Sequence, residues 1–354
     1  MFKKPLISLT LLAMVCSFSV STLAQEDVTK PSEIRNILKS VKEKDPTKME
    51  IKNLTKKSKN ISESNQGDLK MEVDSKIKKI KISHTKKGNM MVGMPANIET
   101  KEGQTIDDQI VFTGKSNKAD IIVQAVDGGV RQVINIKSSD APSFYDFPLE
   151  LEKDEKIILN EDGSALITRQ YTPEEKSKIP KIVPIGIKVA DFAVKFSISK
   201  PWAIDANGKN LSTRYEKIND STLRQIIELK DAVFPVTADP IWCGNAINNT
   251  GWIQRDGVWS DSIYPTSCGA WNCGGQWNCW QEVYDKTKIC GAYSGNTCTV
   301  QPWGSSKKTN YWSMYNQFMC HADIPKGLKV PWNIEPSKAD KGYWGFANFS
   351  DQCN

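Results

Sequence analysis

Alternation of apolar and polar residues, the period-two signature of half-buried strands, sets in near residue 68 and continues to about 240. Met71-Glu72-Val73 and then Ile77, Ile80 and Ile82 carry it first, with a slip at Lys78-Lys79. Ile110-Val111-Phe112 and Ile121-Ile122-Val123 follow as β-branched strand centres. Phe192, Val194, Phe196 and Ile198 alternate with Ala193, Lys195 and Ser197, which predicts one buried and one more polar face. Glycine-containing turns predict three hairpins. The first turns at Asp127-Gly128, between Ala125-Val126 and Gly129-Val130. The second turns through Asn160–Gly163, and the third through Asp205–Gly208, between Trp202-Ala203-Ile204 and Arg214-Tyr215-Glu216. Leu223–Leu229 fits helix or strand by period, and its flanks (a turn before, Ala232–Val236 after) favour strand. Short strands at this spacing imply an antiparallel β-sandwich or barrel over 68–240, large enough to bury its own core.

The chain ahead of this region reads differently. Lys3 and Lys4, the apolar run Leu6–Val20 and Ser21-Thr22-Leu23-Ala24 predict a secretory signal over 1–24, cut after Ala24. Cys16 would leave with it, and Val15 does not suit lipidation at that cysteine. Residues 25–67 read as a basic leader, partly helical or disordered. Pro31-Ser32-Glu33-Ile34 opens a helix through Val41 that Asp45-Pro46 ends. Residues 25–100 carry 17 basic and 11 acidic side chains, the densest runs being Lys56-Lys57-Ser58-Lys59 and Lys76–Lys81. Arginine and stacking rings are scarce there, so a solvated face is expected and nucleic acid is not.

After Asp239-Pro240 the composition changes. Ten of the eleven tryptophans follow, and so do all eight cysteines left once Cys16 is removed. An even cysteine count behind an export signal predicts disulfides and a secreted or periplasmic protein. A zinc site is disfavoured, because no Cys-x-x-Cys occurs and His321 adjoins Cys320. Residues 241–354 are therefore read as a small Cys/Trp-rich, disulfide-rich α+β domain. Its rings should mostly fill the core, with Trp271, Trp277 and Trp303 at the surface as binding candidates for a glycan or a protein partner.

The C-terminal third also resembles a known family. Residues 201–240, ending Pro235-Val236-Thr237-Ala238-Asp239-Pro240, resemble a module that precedes a C-terminal domain in secreted bacterial proteins. Trp252–Gly257 with Ser260 and Tyr264-Pro265-Thr266 is similar to that domain's opening strand, and Trp280-Gln281-Glu282-Val283 to its helical element. Asn316-Gln317-Phe318 with Cys320-His321, Trp332-Asn333-Ile334-Glu335-Pro336, Gly342-Tyr343 and Cys353-Asn354 match its most specific string. The family is secreted, mainly actinobacterial and of unknown function, so the resemblance implies export and architecture and assigns no reaction. This chain departs from it by an extra Cys/Trp-rich stretch between Ser267 and Gln301. The resemblance, together with a penultimate cysteine that would fray if unheld, implies a Cys320–Cys353 bridge. Cys243, Cys268, Cys273, Cys279, Cys290 and Cys298 are left unassigned, and one alternative pairs Cys353 with the insertion.

Two readings of function follow. With two histidines in the chain, a general-base mechanism in this domain must start from His321, with Glu335 and Asp323 as carboxylate partners and Arg255 to hold an anion. In that case the protein is a secreted hydrolase or toxin. Otherwise His321 packs beside a disulfide and the protein is a non-enzymatic binding or effector module at the envelope or outside the cell. The absence of a serine elbow, a His-Glu-x-x-His motif or a phosphate-cradling glycine loop favours the second reading, with no cofactor implied.

Overall fold

The computed structural model describes residues 29–354 except 117, 180–188, 190, 256, 274–276, 288–292, 295–296, 300–307, 324–328, 348–352 and 354. The side chains of 178, 271, 272, 293, 294, 297–299 and 308–310 are also outside the description. The expected signal segment, Cys290, Trp303 and the side chains of Trp271 and Cys298 therefore lie outside the described residues.

Two antiparallel sheets pack face to face. Among the described residues the larger has eleven strands. Its central path runs Lys156–Leu159, Ala165–Arg169, Ala193–Ile198, Ile241–Cys243, Gly129–Ile136, Ala119–Val126, Gln109–Phe112 and Gln104–Ile106. The second, of eight strands, runs Thr213–Asn219, Thr222–Ile227, Phe144–Glu150, Gly88–Gly93, Lys79–His84, Leu69–Asp74, Ile61–Gln66 and Thr55–Lys56. Phe112, Ile121, Ile134 and Phe196 of the first meet Met71, Ile82, Phe147 and Leu223 of the second in one buried core. The fold is thus mainly β and a sandwich. Helix α1 (Pro31–Lys44) covers the outer face of the larger sheet. Helix α2 (Pro173–Lys178) is a short turn held by a capping box between Thr172 and Glu175.

The first two hairpins form as expected, with Gly128 and Gly163 at positive φ. Leu223 lies in a strand whose alternate residues are buried. The slip at Lys78-Lys79 is a turn: Lys78 has φ +59° and Ile77 faces solvent. Three expectations need correction. Trp202–Ile204 does not pair with 214–216. It joins Val236–Asp239 in the larger sheet, while Thr213–Asn219 joins the second. The Asp205–Gly208 turn sends the chain from one sheet to the other, with Leu211 buried in the core on the way. The polar face of Ala193–Ile198 is buried too, because Lys195 is held by the Glu155 carboxylate and the Asn89 carbonyl. Strand structure also begins before 68. In Ile61–Gln66 the inward positions are Ser62 and Ser64, so alternation was invisible as hydrophobicity.

The C-terminal region grows directly out of the sandwich. Ile241–Cys243 is a strand of the larger sheet, hydrogen-bonded to both Gly129–Arg131 and Ser197-Ile198. Beyond it, Ile247–Arg255, Val258–Pro265 and Trp332–Ile334 form a three-stranded sheet. Around it lie α3 (Ser267–Asn272), α4 (Trp277–Thr287), α5 (Tyr311–Asp323) and α6 (Gly342–Phe346). Disulfides join Cys243 to Cys268, Cys273 to Cys279 and Cys320 to Cys353. Among the described residues no helix is long and apolar enough to cross a membrane.

The helix predicted from Pro31 runs on to Lys44 and is part of the packed body. Ile34, Leu38 and Val41 fall on one face at helical spacing and cover Val111, Ile122 and Val133. At its end Asp45 meets Arg131 at 2.7 Å, both nearly sealed from solvent, and Gln124 and Thr47 take further guanidinium hydrogens. Nearby, Asp239 is wholly buried, and desolvation holds its pKa well above the carboxylate range despite the partial relief from Arg131. Asp45→Ala leaves a buried guanidinium without its counter-charge, so it should cost about 3 kcal/mol in urea unfolding. A loss under ~0.5 kcal/mol would show that α1 is only loosely attached.

Candidate functional site

In the C-terminal region the aromatic residues make the core. Helices α4 and α5 face each other across Trp280, whose ring meets Tyr311, Tyr315 and Phe318 at 5.5–5.7 Å between centroids. Trp277, expected at the surface, is only 3% exposed, packed against Trp312 and Tyr315. Helical spacing explains the correction: Trp277, Trp280 and Val283 share one stripe of α4, and that stripe faces α5. The structure thus removes Trp277 as a contact ring.

The candidate acid–base residues are not assembled. His321 is fully buried on α5, and its Nε2 lies 3.0 Å from the Asn333 carbonyl. Glu335 turns away to Lys338 at 2.7 Å, while its backbone amide donates to Gln317 Oε1. Arg255 is exposed at the end of its strand, next to the hairpin turn and paired with Val258. Asp323 is half-buried at the end of α5, beside Tyr343, whose hydroxyl is raised to about 12 chiefly by burial. A carboxylate that sequence reading passed over is more perturbed. Asp261 faces inward, opposite Ile334 and Trp252, and neither of its oxygens makes a hydrogen bond of good geometry. Desolvation raises its pKa to about 7, with the Gly251 backbone offsetting only part of the shift.

Among the described side chains, one indole does face solvent. The Cys320–Cys353 bridge, the pairing that the resemblance implied, ties the end of the chain to α5. Between them α6 buries Phe346 against the disulfide and leaves Trp344 83% exposed, edge-on to Tyr343 at 5.0 Å. The shortness of α6 dictates this, since in one and a half turns Phe346 and Trp344 point to opposite sides.

A second feature lies where the C-terminal region meets the sandwich. His84 ends its strand with Nδ1 accepting from the Lys86 and Lys87 amides at 3.1 and 3.3 Å. Its Nε2 therefore carries the proton and donates to Asn245 Oδ1 at 2.9 Å. Burial, and then Lys87, lower its pKa, which keeps the ring neutral. Lys87 donates to the Gly244 carbonyl at 2.7 Å and to the Glu282 carboxylate. The other Glu282 oxygen accepts from the Ala246 and Ile247 amides at 2.8 and 3.0 Å, so one side chain of α4 gathers both parts. Gly128 closes the junction. With φ +84° it also leaves no space for a Cβ, which would come within 2.5 Å of Thr266 Oγ1 and the Asn245 carbonyl. Above this floor opens a cleft of about 120 Å³. Its residues come from elements distant in sequence, and of the segments singled out beforehand only Ala193-Val194 and Gln281-Glu282 reach it.

Between the ordinary carboxylate range and about 7, folded Asp261 holds a proton that the unfolded chain has released. Its contribution to stability therefore falls as pH rises through that window. Asp261→Asn should match wild type near pH 4 and exceed it at pH 8 by roughly 2–4 kcal/mol. Parallel stability–pH curves for the two proteins would remove Asp261 as the cause. Breaking the bridge that spans 33 residues by Cys353→Ser should cost ~3–4 kcal/mol on a loop-entropy basis. Faster amide exchange confined to α6 and Trp332–Ile334 is the expected signature.

In comparisons with known proteins, the model of a family described as a protein of unknown function (DUF2599) matches residues 247–354. The match begins with the strand Ile247–Arg255 and takes in α3 to α6, including the string from Asn316 to Pro336. No curated protein and no solved structure matches the chain. The C-terminal region, with its aromatic core, its disulfides and Trp344, is thus similar to a family to which no activity is assigned.

Proposed function

We propose that the protein is exported and acts outside the cytoplasm as a non-enzymatic binding module that engages a glycan of the cell envelope through its C-terminal region. The observation that carries this is Trp344. A tryptophan that is 83% exposed on a helix pinned by a disulfide loses little entropy on binding, and its flat face suits a sugar ring. Tyr343 beside it extends the surface. The disulfides favour an oxidising compartment. Catalysis is the weaker account, because His321 is sealed among core residues and Glu335 is directed to Lys338.

Retention of the full chain on insoluble envelope glycan should weaken about tenfold or more in Trp344→Ala, a loss of ~1.4 kcal/mol. Arg255→Ala, also at an exposed position, should leave it unchanged. Co-sedimentation across a range of glycan amounts measures both. Equal retention of wild type and Trp344→Ala would refute the role given to this ring.

A further inference from the structure

The cleft at the junction has the make-up of a small-molecule site that the Trp344 surface does not explain. Four cationic and four anionic side chains line it, a balance of zero, and they largely neutralise one another. Arg169 holds Glu175 through two bonds of 2.7 and 2.8 Å, Lys87 holds Glu282, and Lys286 lies 3.5 Å from Asp68. A net-charged ligand would find no surplus of opposite charge there. An apolar one would have to strip these groups of solvent without repaying them.

The chemistry left for a ligand is neutral hydrogen bonding. The Asn278 and Gln281 amides, each both donor and acceptor, stand half-buried on α4 at the cleft, with Asp285 exposed one turn further along. Across from them, Tyr171 offers an aromatic ring whose hydroxyl burial raises to about 12, so it stays protonated at neutral pH. The floor is rigid, because His84 and Asn245 have each other as partners. The volume of about 120 Å³ lies well below the roughly 300–1,000 Å³ of sites for drug-sized ligands. That limits the occupant to one ring and its substituents.

We infer that this cleft binds a single neutral pyranose. Gln281, Asn278 and Asp285 would take its hydroxyl groups, and Tyr171 its apolar face. The site is built jointly by the sandwich and α4, which the Lys87–Glu282 contact helps to hold together.

Saturation-transfer NMR on the full chain tests this with glucose, galactose, mannose and N-acetylglucosamine as probes. Transfer to at least one of the four is expected, and the double variant Gln281→Ala/Asp285→Ala should raise its Kd at least tenfold. Asp285 is exposed and Gln281 half-buried, both lie outside the Glu282 contact, and near-ultraviolet circular dichroism verifies that the variant is folded. Trp344→Ala should leave this binding intact. No transfer to any probe, or transfer unaffected by the double variant, overturns the inference. Binding lost only in Trp344→Ala overturns it as well, yet leaves the proposed function standing.

Discussion

Strand Ile241–Cys243 is the constraint on which the rest of the molecule hangs. Three residues bond on one side to Gly129–Arg131 and on the other to Ser197-Ile198, closing a gap in the centre of the larger sheet. Its middle residue, Trp242, fills the sandwich core while the indole nitrogen donates to Gln132 Oε1 at 2.7 Å. Its last residue, Cys243, is bonded to Cys268 at the start of α3. The same short strand therefore completes one hydrophobic core and anchors the next. A central strand cannot be withdrawn without exposing two rows of backbone donors and acceptors. Folding of the sandwich thus fixes the starting point of the C-terminal region.

Charge at the joint is handled by enclosure. Lys87, Glu282, Lys195, Glu155, Arg131 and Asp45 are charged side chains placed in or near the interior, and each meets an opposite charge. Such pairs return little net stability compared with apolar packing, but leaving one partner alone is expensive, so they specify which surfaces may meet. Glu282 illustrates the point, since it reads a lysine from the sandwich and two backbone amides from the strand that leads into its own domain. Asp239 and Asp261 solve the same problem differently. Burial moves their carboxyls toward the protonated form, outweighing Arg131 at Asp239 and the Gly251 backbone at Asp261.

This arrangement bears on function. The C-terminal region spends its imidazole and most of its rings on internal packing, as a region of its size with large side chains must in order to exclude water. Among the described residues, one feature left outside is a disulfide-held helix with an exposed indole. The other distinctive surface is a charge-balanced cleft shared with the sandwich. The binding role and the pyranose site proposed above rest on these two surfaces, whereas bond cleavage needs a reachable base and an oriented electrophile site.

Local pattern was enough for most strands between 68 and 240, though not for Gly88–Gly93, Gln104–Ile106 or Phe144–Glu150, and for the first two hairpins and the helix opening at Pro31, because alternation, turn glycines and Asp-Pro stops act over a few residues. Cysteine spacing behind an apparent export signal was enough for disulfides, and the string around Cys320 for its partner. The strand Ile61–Gln66 was hidden because its inward positions are serines. The pairing of Trp202–Ile204 was hidden because a turn signal does not say whether the chain returns to the same sheet or crosses to the facing one. The candidate site was the least legible part. Trp277 and Trp344 are the same residue type, each on a helix of the C-terminal region, yet one is 3% and the other 83% exposed. Which face of a helix is covered depends on an element elsewhere in the chain, α5 for Trp277 and a disulfide beside Phe346 for α6. Lys87 and Glu282 met only through long-range packing, across a separation of 195 residues that carries no local period. The chain by itself determined its strands, its turns and the place where its composition changes. Tertiary structure decided which polar groups would be enclosed together, because burial is a property of contacts between distant segments.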